Sequence, residues 1–455
     1  YDGTDVTVAA DIQDGSSGSM PNHLRVQGND AEARLLFTAT SSERGRQWFS
    51  YDGTSATRRT AYSWSDNISD LNVVYDDGSG AMLYLVAAGE LHQYDGTGIP
   101  TPAATNGSSL HPQAGLLPYD DGSGTKLYFA AEGDDGEELY SYDGSTITLV
   151  ADIYTGTSGT SPRSSQPGDF VEHDGALYFT AENGSVGREV FRYDGSVSAV
   201  TNVNAGGDSD PVGPVVYDDG SGAKLYFLAT DGTEDGLYRY DGSTTQQVGT
   251  VPDVRTNLVN ADPVVYDGTL YFVAFDSNSG LELYQSDGTS ISLVEDLAPG
   301  SDSAYPNNFT VYDDGSGAKL YFQANSDVVS QGLFAYDGTS ISLVNGTDGL
   351  SPSDPTVYGS KLYFVGGNDE VGTELFRYDG TRIQSYDLFA EGSSRPSALT
   401  TYNPGSGEML YFGANAGDFR GQTFYRYEQG TVFPVELAGF DALLDAGTVR
   451  LQWAT

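Results

Sequence analysis

A tetrapeptide, Tyr-Asp-Gly-Thr/Ser, returns along this chain about every 48 residues, and that repeat restricts the fold more than any other feature. It begins at Tyr1, Tyr51, Tyr94, Tyr142, Tyr193, Tyr240, Tyr336 and Tyr378, with degenerate copies at Ser286 (SDGT) and Tyr427 (YEQG). A second element, Leu-Tyr-Phe, keeps step with it at Leu127, Leu177, Leu225, Leu270, Leu320, Leu362 and Leu410, with weaker forms at Leu35 and Leu83. A period of about 40 to 50 residues built from short apolar runs points to a propeller or an array of small sheets.

The unit that starts at Val215 reads VVYDDGSGAKLYFLATDGTEDGLYRYDGSTTQQVGTV. It divides into four runs rich in Val, Tyr, Phe, Leu and Thr, each bounded by Gly, Asp and Ser, which is a strand-and-turn pattern. The first run ends at Asp-Asp-Gly-Ser-Gly, a turn that shortens to Asp174-Gly175 or Asp267-Gly268 in other units. The second is KLYFLA, with Tyr226 on the face opposite Leu225 and Phe227. A variable loop and a third run, GLYRY, follow. The next Asp-Gly is a strong hairpin signal, because Gly accepts the positive φ of a tight turn. A fourth run, such as ITLVADI from Ile147, completes the unit, and no long segment has helical periodicity. Four antiparallel strands repeated around a ring predict an all-β propeller of nine repeats over residues 1–437, with eight blades as the alternative and an open solenoid as a weaker one. The fourth strand occurs ten times. Its extra copy, DVTVAADI from Asp5, either completes a blade near the C-terminus and locks the ring, or belongs to an upstream blade.

The chain carries 64 Asp and Glu against 21 Lys and Arg, a formal charge of −43. Such a field repels nucleic acid and anionic membranes, and favours solubility and cation binding. Asp outnumbers Glu 46 to 18, and there are four Lys (Lys126, Lys224, Lys319, Lys361) to 17 Arg. Three of the four Lys directly precede a Leu-Tyr-Phe within a Gly-Ser-Gly-Xaa-Lys stretch. This balance fits a salt-adapted (halophilic) protein, or an ordinary acidic secreted one. Cysteine is absent, so disulfides and thiolate metal sites are excluded. No apolar stretch approaches the roughly 18 residues of a transmembrane helix. The opening at Tyr1, inside a repeat and without a signal segment, gives the expectation of an interior or processed piece of a longer protein.

The segments GEELYSYDGSTITLVADI (from Gly136), GLELYQSDGTSISLVEDLAPGSDSAYP (from Gly280) and GTELFRYDG (from Gly372) resemble the ELWxxDGT repeat family of bacterial secreted proteins, over about residues 1 to 437. The chain departs at the Trp position, which holds Tyr140, Phe191, Tyr238, Tyr284, Phe334 and Phe376, a swap of one core aromatic for another. The resemblance implies a propeller-like extracellular or cell-surface module, and it brings no catalytic residues. Residues 438–455 leave the repeat. FDALLDAGTVRLQWAT, from Phe440, resembles the opening of a fibronectin-like module found before the sorting domain of type IX secretion cargo; the other reading is a closing strand.

Strand direction alternates, so the two Asp-Gly turns of each unit share one end of the ring. The loop after strand two and the link to the next blade share the other. That second end varies: SERGRQ from Ser42, EGDDGEE from Glu132, TDGTEDG from Thr230, FDSNSG from Phe275 and NSDVVSQG from Asn325. Variable loops on a rigid scaffold are where binding is expected. Oxygen-rich loops make Asp134, Asp135, Glu137 and Glu138, then Asp231, Glu234 and Asp235, weak calcium candidates, without the alternating spacing of a strong calcium loop. No cofactor is required. Six of the 17 Arg fall in the first unit or so (Arg25, Arg34, Arg44, Arg46, Arg58, Arg59). Among them Arg44, Arg46, Arg58 and Arg59 are candidate contacts for an acidic sugar or an acidic surface of another copy, or they neutralise neighbouring Asp. His23, His92, His111 and His173 occupy unrelated repeat positions, and no nucleophile elbow, zinc-binding pair or phosphate loop occurs. The expectation is a non-catalytic, secreted or cell-surface module for adhesion or scaffolding that binds polysaccharide or a protein partner. A polysaccharide lyase or glycosidase and a self-assembling surface-layer or filament subunit are the alternatives.

Overall fold

The Leu-Tyr-Phe strand is the organising element, because both its faces are buried. Leu225, Tyr226 and Phe227 are all at most 1% exposed. Tyr226 packs with Leu270 and Phe272 of the next unit, whereas Leu225 and Phe227 pack with Tyr178 and Val190 of the preceding one. A strand apolar on both sides must be sandwiched between two sheets, and repeating that requirement produces a ring.

The computed structural model describes residues 6–12, 18–27, 33–60, 68–76, 80–95, 101–103, 110–251, 262–369, 372–389, 392–415, 417, 421–428, 439–445 and 448–454. Among these residues there is no helix, and nine four-stranded antiparallel sheets form a nine-bladed propeller. Blades 1 to 8 span 22–58, 68–102, 111–151, 168–199, 212–251, 264–293, 307–343 and 353–386. In each, the strands lie side by side in chain order. Blade 5 is typical: Val212–Asp218, Ala223–Thr230, Asp235–Tyr240 and Thr245–Val251, with Val216 opposite Leu225 and Leu225 opposite Tyr240. The weak repeats at Leu35 and Leu83 form blades 1 and 2, so the eight-bladed alternative is set aside.

Blade 9 takes its three inner strands from Ser397–Tyr402, Met409–Asn415 and Gln422–Tyr427, and its outer strand from β1, Val6–Ala10. Val6 lies opposite Tyr427 and Val8 opposite Tyr425. The extra fourth strand therefore locks the ring. The ring is also held on its turn side by tyrosines that end the inner strands. Tyr119, Tyr217, Tyr266, Tyr312 and Tyr358 each donate a hydroxyl hydrogen bond to a carbonyl of the next blade, at 2.7–3.1 Å. Tyr75 makes the same bond to Thr125 O. Tyr402 closes the circle onto Ala33 O at 2.6 Å. In blade 1 Gln27 takes over, its amide donating to Ala81 O.

The innermost strands line the axis and place valines there: Val26, Val265, Val311 and Val357 are 38–42% exposed. Gly439–Asp445 and Thr448–Ala454 form a two-stranded antiparallel sheet of their own.

Candidate binding site at the channel mouth

Six of the nine inner strands are preceded by a fixed device. A buried small or apolar residue is followed by an exposed residue and then a buried proline: Ser19-Met20-Pro21, Ser165-Gln166-Pro167, Ser209-Asp210-Pro211, Ala304-Tyr305-Pro306, Leu350-Ser351-Pro352 and Ser394-Arg395-Pro396. The first residue staples two blades. Ser165 donates its N–H to Glu137 O of blade 3, while its carbonyl accepts from Glu182 N of blade 4. Ser209 bridges Arg188 and Thr230 in the same way, and Ala304 bridges Leu281 and Asn325. Proline cannot donate at this point and disfavours the right-handed helical region for the residue before it. That residue sits in the left-handed region in all six copies, at φ 42–52°. A side chain held there costs about 1–2 kcal/mol relative to glycine's freedom. None of the six is glycine: the displayed side chains are Met, Gln, Asp, Tyr, Ser and Arg. His111 before Pro112 and Asp262 before Pro263 occupy the same place in blades 3 and 6, and both are exposed. The result is a crown of unlike side chains around the axis, at the end that carries the strand two–three hairpins.

The frame beneath the crown is tied down by buried glutamates, the Glu of the repeated Glu-Leu-Tyr/Phe. Glu138, Glu189, Glu282 and Glu374 are at most 1% exposed. Each carboxylate collects donors from the link to the next blade. Glu138 accepts from Ile153 N (2.8 Å), Ser165 N (3.1 Å) and Ser165 Oγ (2.6 Å). Glu189 accepts from Thr201 Oγ1 and Val203 N, and Glu374 from Ser394 N, Ser394 Oγ and Leu388 N. Glu282 has only backbone donors, Leu297, Ala298 and Ala304, at 3.2–3.4 Å. Burial raises Glu138 and Glu374 above the ordinary carboxylate range, and it pushes Glu282 up to about 7. These groups fix the linker geometry; none reaches the mouth.

At the opposite end the Asp-Gly-Thr/Ser turns are closed on themselves. Asp337 Oδ1 accepts from Thr339 N, Thr339 Oγ1 and Ser340 N, and these bonds hold its carboxyl at about 2. Three of the four Lys before Leu-Tyr-Phe have a matching role: Lys126, Lys224 and Lys319 reach back to Asp121, Asp219 and Asp314 at 2.6–2.7 Å. Each carboxylate also accepts the hydroxyl of Tyr128, Tyr226 or Tyr321, on the same oxygen as the Lys in Asp121 and Asp314 and on the other oxygen in Asp219.

The acidic loop residues do not converge. Glu138 is turned into the linker, while Asp134 and Asp135 form the hairpin turn. Glu137 faces Glu132 across the hairpin; burial, then the Glu132 charge, raise it, and Arg188 of blade 4 opposes them. Asp231 spends its carboxylate on Thr233 and Glu234 N in an Asp-Gly-Thr turn of its own, with Glu234 and Asp235 beyond it. Among the described residues no three His, Asp or Glu side chains gather as a metal would require. The arginines of the first unit diverge as well. Arg46 donates to Thr38 Oγ1, beside His23; Arg58 pairs with Glu43 at 3.2 Å; Arg59 bonds Ser50 Oγ and lies over the Tyr94 ring of blade 2. Arg44 is at the hairpin turn. His92 is buried in blade 2, His111 is exposed in the crown, and His173 lies against Tyr178. Sequence reasoning missed the crown, although the Ser-x-Pro that recurs at Ser19, Ser165, Ser209 and Ser394 was available as its signal.

No family model matches this chain, and no curated protein matches it in sequence. In shape it is similar to a puromycin-hydrolyzing peptidase of Mycobacterium tuberculosis, with 14% identity and a TM-score of 0.44 over 90% of this chain and 60% of the peptidase. This chain thus spans about 60% of that enzyme's length. It is also similar to the computationally designed Ika8 protein (11% identity, TM-score 0.42, 93% of this chain and 99% of that one). A third is an oligogalacturonate lyase in complex with manganese (14%, 0.37, 75% and 92%). Likenesses this distant do not transfer an activity.

Proposed function

We propose that this propeller is a non-catalytic, extracellular or cell-surface binding module, serving adhesion or scaffolding, whose ligand lies across the crown at the channel mouth. The single observation that carries this reading is the contrast within the Ser-x-Pro device. In the six copies held in the left-handed region the flanking residues are buried, while the residue between them is exposed, different in each copy, and held in a costly backbone conformation. A frame that spends energy to display unlike side chains in one ring suits recognition of an extended ligand, a polysaccharide or a surface protein. The extracellular setting follows from the resemblance to the ELWxxDGT repeats, and neither a metal nor an organic cofactor enters the reading.

The test is incubation in molar salt with a panel of acidic and neutral polysaccharides, reading retention and release of reducing ends from the same samples. Retention without release, abolished when Met20, Gln166 and Arg395 are all changed to Asn, is the expected result; Asn tolerates the left-handed region. Release of reducing ends would make the protein an enzyme and overturn the proposal.

A further inference from the structure

The crown is not chemically uniform. Of the 30 described tyrosines, 29 are buried or half-buried, and Tyr305 alone is exposed, at 55%. No Phe or Trp between residues 18 and 428 whose burial is described is exposed either. The Tyr305 backbone is held at φ 52° between the buried Ala304 and Pro306, so the ring projects from a fixed point of the frame.

Amides line the blade 7 side of it. Asn307 Nδ2 donates to Tyr305 O at 2.8 Å, and Asn308 Nδ2 reaches Asn307 Oδ1 (2.5 Å) and Gln323 Oε1 (3.3 Å). On the adjoining hairpin Asn325 Oδ1 accepts from Gln331 N at 3.0 Å, and Gln331 Oε1 accepts from Ser351 Oγ. The place of Gln331 is filled by Arg46 in blade 1, Glu137 in blade 3 and Arg188 in blade 4, and that of Gln323 by Ala130 in blade 3 and Leu228 in blade 5. Blade 7 thus carries amides where blades 1, 3, 4 and 5 carry charged or apolar groups; blade 9 shares two of them, Asn415 and Gln422, but displays Arg395 in place of Tyr305.

We infer that Tyr305 with Asn307, Asn308, Gln323, Asn325 and Gln331 forms a seat for a neutral saccharide unit. This deepens the proposed function and rests on it. The flat ring offers an apolar face with a polar tip, on which one face of a pyranose lies. An amide presents both donors and an acceptor, matching hydroxyls that are both. The bonds among the amides orient them in advance, which lowers the ordering cost of binding. Acidic sugars are disfavoured, because Asp302 and Asp327 border the adjoining cleft beside Asn325 and the chain as a whole carries −43.

The experiment compares the full chain with Tyr305→Asn and Tyr305→Phe in molar salt, measuring affinity for neutral and uronate-containing oligosaccharides. Tyrosine nitration is mapped by peptide mass in parallel. Tyr305→Asn removes the ring at a position whose backbone Asn accepts, so folding is preserved. The expected result is preference for neutral oligosaccharides, protection of Tyr305 from nitration by them, about a tenfold loss in Tyr305→Asn (about 1.4 kcal/mol) and retention in Tyr305→Phe. Glycan binding that ignores Tyr305, or is confined to acidic polymers, overturns the seat and leaves the binding module standing. Absence of glycan binding, with only a protein held at this surface, overturns the seat and the glycan form of the proposed function together.

Discussion

Changing Ala304 to Ser should stabilise the protein at alkaline pH and hardly at all at acid pH. Ala304 occupies the place of Ser165 and Ser394: its N–H bonds the preceding blade's carbonyl and the buried Glu282, as theirs bond the blade carbonyl or the buried Glu138 and Glu374. In those two blades the serine hydroxyl also donates to the carboxylate, and in blade 6 it is missing. Glu282 is left with three long backbone bonds in a site with no solvent exposure, and burial pushes it from 4.5 to about 7. At about 1.4 kcal/mol per pH unit, ionising Glu282 costs the fold about 3 kcal/mol more than it costs the unfolded chain. The sign follows: a carboxyl raised in the folded state contributes stability that is fully present below about 4.5 and is lost as pH rises through about 7.

A hydroxyl donating to the ionised carboxylate is worth about 1.5–3 kcal/mol. The cost of ordering and burying a small hydroxyl reduces the net gain to about 1–2 kcal/mol at pH 8 and near zero at pH 5. Urea unfolding of the two proteins at pH 5 and pH 8, in molar salt and followed by tryptophan fluorescence, measures the difference. Equal gains at the two pH values, or none at pH 8, would refute the hydrogen-bond account of Glu282. The converse change, Ser165→Ala, should lower stability at pH 8 by about 1–3 kcal/mol and have less effect at pH 5.

Four further outcomes are expected. Gly288→Ala should cost several-fold more stability than Gly242→Ala: both turns need positive φ, but a Cβ at 288 would lie 2.3 Å from Asp219 Cβ and 2.7 Å from the Tyr226 hydroxyl, whereas at 242 nothing lies within 4 Å; thermal unfolding of the pair checks this. Asp314 is held at about 2, because hydrogen bonds from Lys319, Ser316 and Tyr321 outweigh its burial, so its contribution is present above about 4 and lost as pH falls through 2. Lys319→Met should therefore lower stability at neutral pH by about 1–3 kcal/mol and flatten the acid limb, as read by denaturation between pH 2 and 7. Val6→Asp, which places a charge where β1 packs against blade 9, should open the ring and expose Gln422–Tyr427, seen as loss of amide-exchange protection there before the other blades. The unfolding midpoint of the unaltered chain should rise steadily from about 0.05 M to 1 M salt as self-repulsion among 64 acidic residues is screened, and a flat response would remove the case for salt adaptation.

Most of the architecture is local information repeated, and so it was legible in the sequence. Each unit contains its own turn chemistry, Asp-Gly with a following Ser or Thr, and a strand whose two faces are both apolar. Such a strand fits only between two like neighbours. That determined the four-stranded blade, the propeller, the end at which the loops vary, and the structural use of the Asp-Gly turns. The resemblance to secreted repeats and the acidic surface concern the chain's setting, and they too come from sequence. Tertiary structure decided what depends on partners far along the chain. Only ring closure fixed nine blades, because β1 meets Tyr427 across more than 400 residues and no local pattern encodes that pairing. The fate of the loop carboxylates was equally hidden: Glu137 and Glu138 are adjacent in sequence, yet strand alternation sends one toward the mouth and the other into the linker, where backbone N–H groups consume it. The crown emerged last, because a residue before proline says nothing of its φ or its exposure until the two blades it joins are brought together.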